Sequence, residues 1–141
     1  MDVKQRLLRC AADIVLGQAV DRLIQQTKDD LAQATEEAVE YDEASPSNEA
    51  TRACRTISNS LAPHLALAPQ LRWAVFAEDD GGVSLVAQSL ISDRRLSCII
   101  SREGSVSVLA IDEKMSTKRE SVDLADRDAW RRWANWVNAV S

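Results

Sequence analysis

The chain has 141 residues, 45% of them hydrophobic and 28% charged, with a formal net charge of −5. That balance is ordinary for a soluble globular protein, and the length allows a sizeable buried core. The acidic excess argues against a nucleic-acid binder, whose footprint is a basic patch, and suits a basic protein partner.

Residues 2–41 are helix-forming throughout, with no Pro and one Gly. Val3, Leu7, Leu8, Ala11, Ile14, Val15, Ala19, Leu23 and Ile24 read as one apolar stripe. It thins to Leu31, Ala34, Ala38 and Val39, so the first part is expected to be the better buried. A helix over residues 3–40 would be roughly 55 Å long, against a diameter of roughly 37 Å for a compact chain of this size. It must protrude, break near Gly17 or Thr27, or pack its overhang on another chain. Thr27-Lys28-Asp29-Asp30 resembles a capping box that could start a new helix. A homodimer through this helix would account for the overhang.

The opening run Met1 to Gly17 resembles a signal peptide only faintly, because Arg9 and Asp13 interrupt its apolar stretch. No run approaches the ~18 apolar residues of a membrane span. Cys10, Cys54 and Cys98 form no close pair and sit among apolar residues. They read as buried thiols in a reducing compartment, hence a cytoplasmic protein.

Residues 29–49 carry eight acidic residues and no Lys or Arg. Such a run is ordinarily a solvated helix face. Its functional reading is an acidic surface for a basic partner, with Glu36, Glu37, Glu40, Asp42 and Glu43 as the binding residues. Ser45-Pro46-Ser47 punctuates a linker over 42–48. The next helix has Ala50, Ala53, Cys54, Ile57 and Leu61 on one face, and Pro63 is expected to end it. His64 to Gln70 is a connector.

Residues 71–111 alternate apolar and polar with a period of two, over four short runs. Asp79-Asp80-Gly81-Gly82, Ser92-Asp93-Arg94 and Arg102-Glu103-Gly104 are the turns. This is an antiparallel meander with one buried face and one wet or partner-covered face. Lys118 to Asp123 reads as a short, charged fifth strand at an edge. Asp126 caps a last helix over 127–140, with Trp130, Trp133 and Val137 on one face and Trp136 half-buried.

The expected fold is α+β: a long N-terminal helix, whole or broken, a second helix, a four- to five-stranded meander, and a C-terminal helix packed on the sheet. One domain over 1–141 divides into 1–44, 45–62, 71–123 and 126–140.

Catalytic signatures are missing. His64 is the only histidine, and no Gly-x-Ser-x-Gly elbow accompanies it. Close Cys/His pairs for zinc are absent, as are phosphate loops, and Asp79-Asp80-Gly81-Gly82 is too short for a calcium loop. Asp79, Asp80 and Asp112 are the best candidates for a carboxylate enzyme, and nothing pairs them. Trp130-Arg131-Arg132-Trp133 reads as core packing rather than base stacking. Arg94, Arg95 and Arg102 read as solvated. The expectation is no enzyme, cofactor or metal, no nucleic acid and no membrane. What remains is a small acidic protein-interaction module, an adaptor, chaperone or antitoxin/immunity-type inhibitor, that binds a protein partner or itself. The alternative is a small-ligand-sensing domain with its pocket between sheet and C-terminal helix, at Trp73, Trp130 and Trp133.

Overall fold

In the computed structural model, which describes residues 2–139, the first helix is unbroken: α1 runs Val3–Glu40. Asp2 caps it by accepting the Gln5 N–H at 2.8 Å. Thr27 does not start a new helix. Its hydroxyl donates to the Leu23 carbonyl one turn back, at 3.0 Å, and serves a buried cluster described below. Helix α2, Asn48–Leu65, returns along α1 after a short linker. Ser47 is its cap, accepting the Ala50 N–H at 3.0 Å. Pro63 lies inside α2, and the helix continues past it to Leu65. In the last turn proline removes only one bond, and that carbonyl, on Asn59, belongs to an exposed residue.

Five antiparallel strands follow in chain order: β1 Leu71–Ala77, β2 Val83–Ser89, β3 Arg94–Ile100, β4 Val106–Ile111 and β5 Thr117–Val122. The tight turns force this meander, and Gly81 and Gly104 take the positive φ it needs. Helix α3, Arg127–Asn138, is capped by Asp126 and closes the layer. Trp73, Val75, Leu85, Cys98, Ile100 and Val108 point to one face of the sheet. There they meet Ile57 and Leu61 of α2 and Trp130, Trp133 and Val137 of α3 in one core cluster.

Gly82 is the most tightly enclosed glycine of the meander. A Cβ there would stand 2.5 Å from the Ile100 carbonyl oxygen, a main-chain atom on β3. We expect Gly82→Ala to cost about 1–3 kcal/mol by forcing the strands apart. The check is a lower urea midpoint at unchanged slope.

The end of α3 is held by the β2–β3 turn. Ser92 Oγ donates to the Val137 carbonyl at 2.7 Å, and Arg94 Nη1 donates to the Trp136 carbonyl at 2.9 Å. The Val137 carbonyl is one that the helix itself leaves open, and the Trp136 carbonyl also accepts the Ala139 N–H at 3.3 Å. Arg94 also stacks over the Trp136 ring and donates from Nε to Glu113 at 3.1 Å. A backbone hydrogen bond, then Arg94, hold the Glu113 carboxyl below its usual value. A carboxylate lowered in the folded state adds stability above its unfolded pKa, and loses it as pH falls through the folded one. In Arg94→Ala, an NMR titration should find Glu113 closer to 4.5 but still below it, because the backbone bond persists.

Two of the three thiols are core atoms, but Cys10 is exposed, against the expectation of three buried ones. Burial pushes Cys54 up to about 12, with Arg55 lowering and Asp30 raising it. Burial raises Cys98 as well. An aromatic disulfide reagent should therefore count one reactive thiol in the native protein and three in denaturant.

Candidate interaction surfaces

The structure reverses the expected burial of α1. Thr27, Leu31, Ala34 and Ala38, all in its second half, are buried. Val3, Leu7, Leu8, Ile14 and Val15 are 55% to 70% exposed. The cause is length and register. Thr27 Oγ1 lies 2.9 Å from Ser58 Oγ, which sets α1 and α2 side by side. Antiparallel to α1, α2 then ends at Leu65 level with Val20. Leu16, Ala19 and Val20 are half-buried, and every described residue before Leu16 is exposed. About 20 Å of helix projects beyond the rest of the fold.

The apolar residues of α1 are also two stripes, not one. At about 100° per residue, Val3, Leu7, Leu8, Ala11, Ile14 and Val15 centre on one side of the helix. Val20, Leu23, Ile24, Thr27, Leu31, Ala34 and Ala38 centre roughly 180° away. The projecting arm therefore turns its apolar face away from its own core.

The second half of α1 lies along the free edge of β1. Gln26 donates its side-chain amide to the Trp73 carbonyl. Asp30 accepts the Val75 N–H at 3.0 Å. Two side chains thus cover backbone groups that an edge strand leaves open. Past them α1 and β1 diverge around a groove of about 450 Å³. Ala34, Ala38 and Val75 contribute to its apolar lining, and Glu37, Glu43, Glu78 and Asp79, with Asp30, give its charge. Of the five acidic residues singled out from the sequence, Glu37 and Glu43 share this groove. Glu36, Glu40 and Asp42 are exposed outside it. Glu78 and Asp79 join only through the fold, and the sequence carries no sign of that pairing.

Among the described residues no helix covers the other face of the sheet. Phe76, Ser84, Ile99 and Ser107 form one cross-strand row on it, and Ala74, Val86, Ser97 and Leu109 another. A shallow cleft of about 650 Å³ opens there, lined in part by Ser84, Ile99, Ser107, Arg119 and Ser121.

Trp73, Trp130 and Trp133 are all buried and line none of these clefts. Trp73 Nε1 donates to Thr27 Oγ1 at 3.0 Å and Trp130 Nε1 to the Leu124 carbonyl at 3.3 Å. Trp133 meets Trp136 edge to face, with Lys118 over its own ring. His64 is exposed in the last turn of α2. Among the described residues no group of three His, Cys, Asp or Glu is placed to hold a metal ion. Among them, too, no helix is long and apolar enough to cross a membrane.

Comparison of the chain with family models, with curated proteins and with solved structures finds no match in any of the three. The reading of function therefore rests on these surfaces.

Proposed function

We propose that the chain is a protein-interaction module, of adaptor, chaperone or inhibitor type, that docks through α1. One observation carries this: five large apolar side chains of the arm stay more than half exposed on a face turned from the core. Soluble proteins seldom leave a contiguous patch of that kind uncovered unless it binds something. Fully burying such a side chain contributes about 1.5–3 kcal/mol. Five together reach about 8–15 kcal/mol, comparable with the roughly 4–15 kcal/mol that association costs. The arm alone therefore supports modest affinity, to a protein partner or to itself as a homodimer. The acidic end of α1, Glu36, Glu37 and Glu40, with Asp42 and Glu43 just past it, supplies charge selection and faster encounter with a basic partner. Three free thiols favour a reducing, cytoplasmic setting.

The test compares what three immobilised proteins retain from host lysate: wild type, the arm variant Leu7→Glu/Ile14→Glu, and the acidic variant Glu36→Lys/Glu37→Lys/Glu40→Lys. The arm variant should lose what the wild type retains, including added copies of the chain itself. The acidic variant should lose the salt-sensitive part. Retention that neither variant changes would sink the reading.

A further inference from the structure

The face of the arm has an internal symmetry. Leu7 and Leu8 precede Ala11 by the same steps by which Ile14 and Val15 follow it. Reversed about Ala11, Leu8 falls on Ile14, Leu7 on Val15 and Val3 on Ala19. An isologous interface needs such a patch, one that fits its own two-fold image. We infer that the arm pairs with the arm of a second copy of this chain, antiparallel, with the two-fold axis at Ala11. This rests on the reading of the arm as a docking surface and names its occupant.

Four further features agree. Ala11 is the smallest side chain of the stripe and sits on the axis, where two helix backbones come closest. The reversal sets no like charges level on the paired face: Lys4 stands opposite Gln18. The core-facing stripe lies on the far side of α1, so each fold sits outside the pair and does not obstruct it. The helix is also already nucleated by its packed second half, so pairing need not order it from coil.

Helix axes about 8–10 Å apart bring the two Cys10 side chains to about 10 Å, both on one side of the pair. Lys4 lies seven residues from the axis, so its two copies stand more than about 20 Å apart. In a parallel pair the two Lys4 positions would instead be neighbours. Cys54 and Cys98 are buried, which leaves Cys10 as the exposed thiol.

The test is sedimentation velocity on the full chain to about 100 µM, suited to a modest interface. It is joined to cross-linking with a bismaleimide spanning about 10 Å. The inference expects a dimer whose dissociation constant rises about 100-fold or more in Leu7→Glu/Ile14→Glu. Arg9→Ala, on the opposite side of the arm, should change it less than about threefold. Both substitutions lie outside the core, so unchanged melting of the monomer shows that the fold is intact. Cys10 should cross-link, while Cys10→Ser/Lys4→Cys should not. A monomer throughout, a dimer indifferent to Leu7→Glu/Ile14→Glu, or efficient Lys4→Cys cross-linking overturns the pairing. So does a monomer whose arm binds phosphatidylserine vesicles. A monomer that still retains another protein through the arm ends this inference and leaves the docking module standing. One that retains nothing ends both.

Discussion

Replacing Trp130 with alanine should remove a large share of the stability of this fold. Trp130 is fully buried in the cluster where α2, α3 and the sheet meet. Truncations of this kind cost about 3–5 kcal/mol, from lost transfer energy and the cavity left behind. Against a typical total of about 5–15 kcal/mol, the variant should be partly unfolded at moderate urea. Trp130→Phe should recover much of the loss, since the ring nitrogen makes a single bond of 3.3 Å, to Leu124. Urea titration of the three proteins is the check. A Trp130→Ala loss below about 1 kcal/mol would show that the cluster is not the core.

Thr27→Val should cost nearly as much, although it changes almost no volume. The Thr27 hydroxyl is where α1, α2 and β1 are joined. It donates to the Leu23 carbonyl, accepts from Trp73 Nε1 at 3.0 Å, and lies 2.9 Å from Ser58 Oγ. Thr27, Ser58 and Trp73 are all buried. Valine would strand the indole N–H and the serine hydroxyl without water, at about 1–3 kcal/mol for each buried group. The expected loss is therefore about 2–6 kcal/mol. Ser58→Ala in the Thr27→Val background should cost less than Ser58→Ala alone, because the shared bond is already gone. Additive losses would mean that the cluster does not act as a unit.

The meander was legible because its signals are local. Alternation and turn residues lie within each ten-residue stretch, so strand order, buried face and the charged edge at Lys118 and Arg119 follow from neighbours in sequence. The Asp126 cap and the Trp130–Trp133 face were legible for the same reason. Pro63 misled because a proline stops a helix interior more strongly than its last turn. Thr27-Lys28-Asp29-Asp30 misled because capping chemistry and a buried threonine use the same residue types. Thr27 is spent on Ser58 and Trp73, and Asp30 on Val75, contacts of long sequence separation.

The arm is hard to read from sequence for a different reason. Its apolar residues continue along α1, and a list of positions does not show that the stripe changes sides between Val15 and Val20. Taking the phase at about 100° per residue would have separated the two stripes. Which of them faces the core depends on the register of α2, set by Thr27 and Ser58, and that is tertiary. The groove partners Glu78 and Asp79 were hidden likewise, since β1 reaches α1 only in the fold.

Hydrogen exchange along α1, measured against protein concentration, tests the docking arm most directly. Residues 4–15 have only their own helical bonds to slow exchange in the free chain, so they should exchange quickly when dilute. Protection there should rise with concentration in the wild type and stay low in Leu7→Glu/Ile14→Glu, while residues around Thr27 and Leu31 remain protected in both. Strong protection of residues 4–15 at every concentration, in wild type and variant alike, would mean that the arm packs on its own fold and would contradict the account.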